Sequence, residues 1–392
     1  MEFFMEKLCK PELCTGCGAC ASACPKGCIT MEADAEGFLQ PHVDAETCIN
    51  CGKCTKICPI LSQSGQIAGN TVAYAAVHND AQVRNSSTSG GVFSLLCDWV
   101  LAENGIVFGA AYDDDFMVAH GAVEDAGELP GLRGAKYAQS RLGNTYAQVR
   151  DQLEKGRYVL FSGTPCQVGG LRSYLGKEYE NLVLVDLICH GVPSPAVWRH
   201  YIEHRSRKDA AGQRPVAVNL RSKETGWAGY SVRFDYADGR KYAARNSQDP
   251  YIRGFVQNLY LRPSCYQCHF KGVERASDFT LGDYWGVWDQ LPECHDDKGT
   301  SLILVHTEKA HRILETMSCK MQYRQVDLSK ALEGNPSALV SSSHTEKRED
   351  FLKRYQEEDF DRLVDRLCPK PAPQKTSLVR RVVRKLKRVL HI

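Results

Sequence analysis

From residue 72 onward, apolar positions recur with two periods, and the alternation between them sets out a series of strands and helices. Val72 to Val77 reads as a strand. The Ser/Gly-rich loop Asn85–Gly91 then feeds an apolar helical stripe of Val92, Phe93, Leu95, Leu96, Trp99 and Val100. Ile106–Tyr112 and Met117–Val123 read as strands joined by the turn Asp113–Asp115. A strand ending at Ser162 is followed by Pro165, which opens a helix containing Leu171 and Leu175, and Leu182–Ile188 reads as the next strand. Strand, helix and strand in that order predict a right-handed parallel crossover, hence an α/β domain. Val216–Arg221 and Tyr230–Tyr236 are further strands, with Ala237–Gly239 as a hairpin turn. Ser301–His306 reads as a strand and 308–317 as a helix. The span 346–367 reads as one charged helix with Phe351, Tyr355, Phe360, Leu363 and Leu367 on a stripe.

The first 66 residues have a different texture. They contain Cys14, Cys17, Cys20 and Cys24-Pro25, then Cys48, Cys51, Cys54 and Cys58-Pro59, each set spaced C-x2-C-x2-C-x3-C-P. That is the two-cluster 4Fe-4S ferredoxin run, in which the fourth cysteine of each set serves the other cluster. One cluster is assigned Cys14, Cys17, Cys20 and Cys58, and the other Cys48, Cys51, Cys54 and Cys24. Zinc sites use paired rather than tripled cysteines. Ile29 to Val43 is expected to hold a short hairpin, Phe3, Phe4 and Leu8 to pack on the module, and Ser62–Asn70 to form a linker. Cys9, Cys28, Cys97, Cys294, Cys319 and Cys368 fall outside ligand spacing and read as packing residues.

With 392 residues, 18 cysteines and a formal net charge of +2, the chain shows no global field for nucleic acid. No N-terminal apolar run is long enough for a leader or a span. Cysteine abundance then argues for metal or redox chemistry in a reducing cytoplasm.

Four more cysteines invite attention. Cys166 is expected in the first turn of the helix after one strand, where the local field favours thiolate. Cys189 follows the next strand, so both lie at the carboxyl edge where open α/β sheets bind ligands. Cys265 and Cys268 supply a C-x2-C pair. Cys265–His269 also fits c-type haem attachment, which normally follows export, and a zinc ribbon wants a second close pair. A third 4Fe-4S cluster on these four is the preferred reading. The helix start at Gly91 offers free amides to an anion, although an ordinary capped helix gives the same pattern. The loop Leu132–Arg141 sets cations beside glycine and tyrosine.

The ordered set SerGlyGly at 89–91, GlyAlaLysTyr at 134–137, ThrProCysGln at 164–167, CysHisGlyValProSer at 189–194, the cysteine pair at 265 and 268, and AspPheThrLeuGlyAspTyrTrpGly at 278–286 resembles the beta-subunit family of coenzyme F-420 hydrogenases and dehydrogenases. The resemblance covers residues 72 to 345 with the ferredoxin module in front. It implies an iron–sulfur flavoprotein carrying FAD beside a 4Fe-4S cluster held by Cys166, Cys189, Cys265 and Cys268. It further implies FAD contacts among Ser89, Gly90, Gly91, Gly134, Lys136, Tyr137, Ser140, Thr164 and Gln167. Similar chains occur near polysaccharide-synthesis functions, so the family name does not fix the substrate.

The resulting expectation is a two-cluster module at 1–66, an FAD and 4Fe-4S oxidoreductase domain at 67–345, a helical extension at 346–370, and a proline spacer with a basic amphipathic helix at 371–392. The fold class is α+β followed by α/β. Partners expected are a one-electron carrier protein such as a ferredoxin and a small-molecule or lipid-linked substrate. His190 is the candidate proton relay, set against a supporting hydrogen bond beside Cys189. Asp283 is either a turn cap or a cofactor contact, and Trp227, Tyr230 and Tyr251 border a pocket or fill the core. In Thr376–Ile392, Leu378, Val379, Val382, Val383, Leu386, Val389 and Leu390 form one face. Arg380, Arg381, Arg384, Lys385, Lys387 and Arg388 form the other, which suits peripheral contact with the anionic inner membrane surface. Two function classes stay open: an oxidoreductase with its own organic substrate, and a subunit that relays electrons between partner proteins.

Overall fold

The computed structural model describes residues 8–62 and 70–370. The linker, Phe3, Phe4 and the basic tail expected from the sequence lie wholly or mostly outside the described residues.

In the ferredoxin module, each cysteine triplet turns into a short helix through a glycine with positive φ: Gly18 (72°) before Ala19–Ala23 and Gly52 (69°) before Lys53–Ile57. A side chain at either position would be strained in that left-handed conformation, so glycine fixes the turn that aims the cysteines. Strands β1 (Ile29–Ala33) and β2 (Leu39–Val43) pair antiparallel. Their turn is closed by the Asp34 carboxylate, which accepts from the Glu36 and Phe38 amides, and Phe38 is fully buried.

The main body is built on an eight-stranded sheet. Its strands are β3 (Val72–His78), β4 (Ile106–Tyr112), β5 (Val118–Val123), β6 (Val159–Ser162), β7 (Leu182–Leu187), β11 (Phe279–Asp283), β12 (Ser301–Val305) and β13 (Met321–Val326), in the order β13-β3-β12-β11-β7-β6-β4-β5. Strands β4, β6, β7 and β11 run parallel, flanked by antiparallel neighbours. The central strands are continuous apolar runs because both faces are covered. Leu160, Val183 and Val185 pack with the helices Val92–Ala102 and Glu308–Thr316 on one face. Val159, Phe161, Leu182 and Leu184 pack with Thr145–Glu154 and Pro165–Leu175 on the other. Edge strand β13 has no counterpart in the sequence expectations, because most of its residues are exposed and its polar composition hides the period.

A smaller antiparallel sheet, β10-β9-β8 (β8 Pro215–Ser222, β9 Ser231–Tyr236, β10 Lys241–Arg245), packs with the helix Pro195–Ala210 around Trp198, Tyr201 and Phe234. The span expected as one helix over 346–367 is two, Lys347–Arg354 and Phe360–Leu367. Asp359 makes the break: its carboxylate accepts from the Arg362 amide and starts a new helix. The stripe survives, since Phe351, Tyr355, Phe360 and Leu363 are all buried in the same core. Among the described residues, no helix is long and apolar enough to cross a membrane.

Candidate functional site

Within the ferredoxin module, Cys24, Cys48, Cys51 and Cys54 line one small cavity. The other four converge as well. Cys20 is pushed up to about 12, first by burial and then by the neighbouring Cys14 and Cys58 thiols. Burial also raises Cys17, with Cys20 and Cys14 adding to the effect. Each set has a fifth thiol that sequence spacing did not flag. Cys28 Sγ lies 3.3 Å from Cys24 Sγ, and Cys9 lies beside Cys58, whose thiol it holds below its ordinary range.

Cys166, Cys189, Cys265 and Cys268 line a second small cavity in the body, with Thr15 from the ferredoxin loop and Arg262, Lys271 and Arg275 around them. Topology explains the meeting. Cys166 and Cys189 follow the paired parallel strands β6 and β7, while the 3-10 turn Pro263–Gln267 delivers Cys265 and its C-cap Cys268. The Thr164 and Gln167 capping box fixes the first turn of the helix Pro165–Leu175, and Thr164 Oγ1 sits 3.1 Å from Cys166 Sγ. A thiolate-favouring field was expected at Cys166, yet burial outweighs it and pushes the thiol up to about 11. Burial likewise lifts Cys265 to about 12. Four half-buried thiols ringed by cations form a donor set suited to an anionic iron–sulfur cube. Three buried polar atoms around that cavity, Thr15 Oγ1, Arg262 Nη1 and Arg275 Nε, have no hydrogen-bond partner, as expected where a bound group completes the site.

A much larger cavity, about 570 Å³, opens beside it and shares Thr15, Cys166, Cys189, His190, Gly191 and Val192 with it. It lies at the carboxyl ends of the parallel strands, with Ala110, Ser162, Leu187 and Asp283 in its wall. Of the residues expected to touch FAD, Ser89, Gly91, Gly134, Lys136, Tyr137, Ser140, Thr164 and Gln167 line this cavity. Gly90 does not: a Cβ there would lie 2.3 Å from the Ala76 carbonyl oxygen, so strand packing rather than ligand approach requires glycine. Ser89 Oγ donates to the Thr300 carbonyl and the Gly90 amide to Ser301 Oγ, tying the loop to β12. Lys136 Nζ donates to the carbonyls of Leu132 and Arg133, and burial pushes its pKa down to about 7.

His190 also lines both cavities. Its Nε2 pairs with Asn258 Oδ1 at 2.7 Å and its Nδ1 with Ser337 Oγ at 3.4 Å, while burial lowers its pKa. With both nitrogens engaged, the ring orients the segment after Cys189. Asp283 proves more than a turn cap. It accepts from Arg221 Nη1 and from Trp227 Nε1, and it lines the large cavity with Arg221, Tyr230 and Trp285. Trp227 is buried and stacked on Trp285, and Tyr251 is core. Arg221, Arg262 and His120 were legible in the sequence only as strand or loop residues.

The class defined by these features is an iron–sulfur electron-transfer protein. Residues 13–60 match the 4Fe-4S dicluster domain. Residues 156–330 match the family described as the C terminus of the coenzyme F420 hydrogenase/dehydrogenase beta subunit, so the chain carries that family's domain behind a dicluster module. One solved structure that it resembles is titled "Xenon derivatization of the F420-reducing [NiFe] hydrogenase complex from Methanosarcina barkeri". The TM-score is 0.45 at 15% identity, covering 70% of this chain and 90% of that one. No curated protein matches the chain.

Proposed function

We propose that this chain is an iron–sulfur flavoprotein oxidoreductase that carries electrons between three 4Fe-4S clusters and FAD and acts on an organic substrate. The observation that supports it best is the shared wall of the two body cavities. Cys166 and Cys189 belong to both, so a ligand in the large cavity would lie against the four-cysteine site. FAD would supply the exchange of electron pairs with the substrate and of single electrons with the clusters.

The chain's own residues divide the work. Cys14, Cys17, Cys20 and Cys58 would hold one module cluster, Cys24, Cys48, Cys51 and Cys54 the other, and Cys166, Cys189, Cys265 and Cys268 the inner one. Cys17 packs against the inner helix: a Cβ on Gly170 would lie 3.0 Å from its Sγ. Cys51 is exposed and Ile49 is 57% exposed beside it, which gives a carrier protein an approach to the outer cluster. The start of the helix Val92–Ala102 and the loop Gly134–Ser140 would hold the dinucleotide. Tyr137, stacked at 4.8 Å on Phe255, closes that wall against water.

Anaerobic reconstitution tests the reading. We expect about twelve irons and one FAD per chain, falling to about eight irons in Cys265→Ser. Eight irons in both proteins would reject the inner cluster, and absence of flavin would reject the oxidoreductase. Given artificial carriers, an enzyme converts a small molecule while a relay only exchanges electrons, so a substrate screen separates those classes.

The tail extends the proposal to a lipid-linked substrate, as in polysaccharide assembly. Each basic residue near an anionic surface adds about 1 kcal/mol. Full-length protein should float with anionic liposomes at low salt, and protein ending at Gln374 should not. Equal behaviour of the two would remove the tail from membrane contact.

A further inference from the structure

At the end of the large cavity farther along the sheet, one cation is held in place with three of its five N–H donors unused. Arg221 stands near the end of β8 with its side chain only 8% exposed. Its Nη1 is bound to Asp283, and its plane lies against the rings of Tyr230 (4.5 Å) and Trp285 (5.6 Å). Nε and Nη2, both buried, have no hydrogen-bond partner among the described residues. These two nitrogens form one edge of the guanidinium, the fork that takes two oxygens of a phosphate or carboxylate side by side. Leaving such donors empty in a buried place is costly. Asp283 does not satisfy them: its Oδ2 accepts from Nη1 and its Oδ1 from Trp227 Nε1 at 2.8 Å.

The same end of the cavity receives the start of the helix Val92–Ala102. Asp283 pairs with Ser301 across β11 and β12, and Ser301 Oγ accepts from the Gly90 amide at 2.9 Å. Two residues after Arg221, Lys223 Nζ donates to the Ser89 carbonyl at 2.7 Å, clamping the end of β8 to that loop. Gly91 (φ 93°) then caps the 11-residue helix with no side-chain cap, and the Val92 and Phe93 amides have no partner among the described residues. Among the described residues, Asp283 is the single carboxylate in the cavity wall, against Arg221 and Lys136, so the lining favours a negative ligand.

We propose that the Arg221 fork and the helix start after Gly91 form a phosphate site, with Asp283 as the positioning residue that aims the guanidinium. The proposal rests on the flavoprotein reading in that the diphosphate of FAD is its first occupant. A phosphate on the substrate is the second source of the same chemistry.

The test compares the wild-type holoprotein with Arg221→Lys and Arg221→Gln. Lysine keeps a cation against Asp283 but has no fork, so it guards against a simple folding defect, which unchanged cluster absorbance and circular dichroism would verify. For each protein we measure the Kd of FAD and of riboflavin by fluorescence quenching on deflavinated protein, and of inorganic pyrophosphate by calorimetry on flavin-loaded protein. Loss of two charge-assisted hydrogen bonds should weaken FAD by about tenfold to a hundredfold in Arg221→Lys, and at least as much in Arg221→Gln, with riboflavin unchanged. That outcome assigns the site to the cofactor. Unchanged FAD affinity with the same loss for pyrophosphate assigns it to a substrate phosphate. If wild type binds no flavin, pyrophosphate is measured on the protein as isolated, and weaker binding in the two variants than in wild type means that the anion site stands and the flavoprotein reading falls. Unchanged affinities for both phosphate probes, or an equal loss for riboflavin, overturn the proposal.

Discussion

At the scale of single residues, the cavity wall is tuned by burial more than by neighbouring charge. His120 shows this most clearly. It stacks on Phe161, its Nε2–H donates to the Ser162 carbonyl at 3.0 Å, and its Nδ1 accepts from Ser140 Oγ at 2.7 Å. Burial pushes its pKa down to about 4, with nearby Lys136 adding to the effect. An unfolded histidine titrates near 6.5, so below that pH the unfolded chain takes up a proton that the native chain refuses until about 4. Stability is therefore highest above pH 6.5 on this account, falls as pH drops through the window, and levels off below it. Lys136, at about 7, titrates at the upper end of this range in both proteins, so its contribution cancels in their comparison. Between pH 7.5 and 5.0, wild type should lose about 2 kcal/mol more stability than His120→Gln in urea unfolding. Identical pH slopes for the two proteins would mean that His120 is not held neutral.

At the scale of elements, the helix Pro165–Leu175 bears the proposed ligand Cys166 and also the contact with the ferredoxin module. Glycine inside a helix costs about 0.5–1 kcal/mol relative to alanine, so Gly169 and Gly170 in its middle need a reason. They have one: a Cβ at 169 would sit 2.6 Å from the Phe270 ring, and at 170 it would sit 2.8 Å from Tyr146 Oη and 2.9 Å from Cys17 Cβ. The helix is shaved where a proposed cluster ligand presses against it. Gly170→Leu should displace Cys17 and cost about four irons of the full complement, read by iron and sulfide analysis. Full iron content together with a higher melting temperature would show the glycine to be dispensable. This helix and the cysteine runs were legible in the sequence because each signal is local: a proline at the first turn and ligands at fixed short spacing. Arg221 and Arg262 were not legible. Their roles depend on Asp283 and on the Cys14 carbonyl, partners far away in sequence that only the fold brings near. The break at Asp359 escaped for the opposite reason, since one continuous apolar stripe runs across both short helices and a pattern count cannot see the cap between them.

For the whole molecule, the question is what keeps the ferredoxin module in register with the body, since its own core is small. The structure provides straps from widely spaced parts of the chain. Arg262 Nε donates to the Cys14 carbonyl at 2.7 Å and its Nη2 to Leu39 O at 3.0 Å, while Gln139 Oε1 accepts from the Leu39 amide at 2.9 Å. The helix Lys347–Arg354 adds the outermost strap: Arg348 makes a two-pronged contact with the Glu36 carboxylate at the tip of the β1–β2 hairpin, and Ser194 Oγ donates to the Glu36 carbonyl. The C-terminal helices thus bear directly on the N-terminal clusters. Arg348 is 8% exposed and Glu36 is 30% exposed, which puts the pair between a solvent-screened bridge and a buried one. Arg348→Ala should accordingly cost about 1–3 kcal/mol, and Glu36→Gln, which keeps the shape and one hydrogen-bonding oxygen, less. Where the loss appears is the sharper test. Hydrogen exchange in Arg348→Ala should speed up in Phe38–Val43 and around Cys14 while the β6 and β7 amides keep their protection. Protection lost evenly across the large sheet would mean that Arg348 serves the body's core, and that the module is held without it by contacts such as those of Arg262, Gln139 and Ser194.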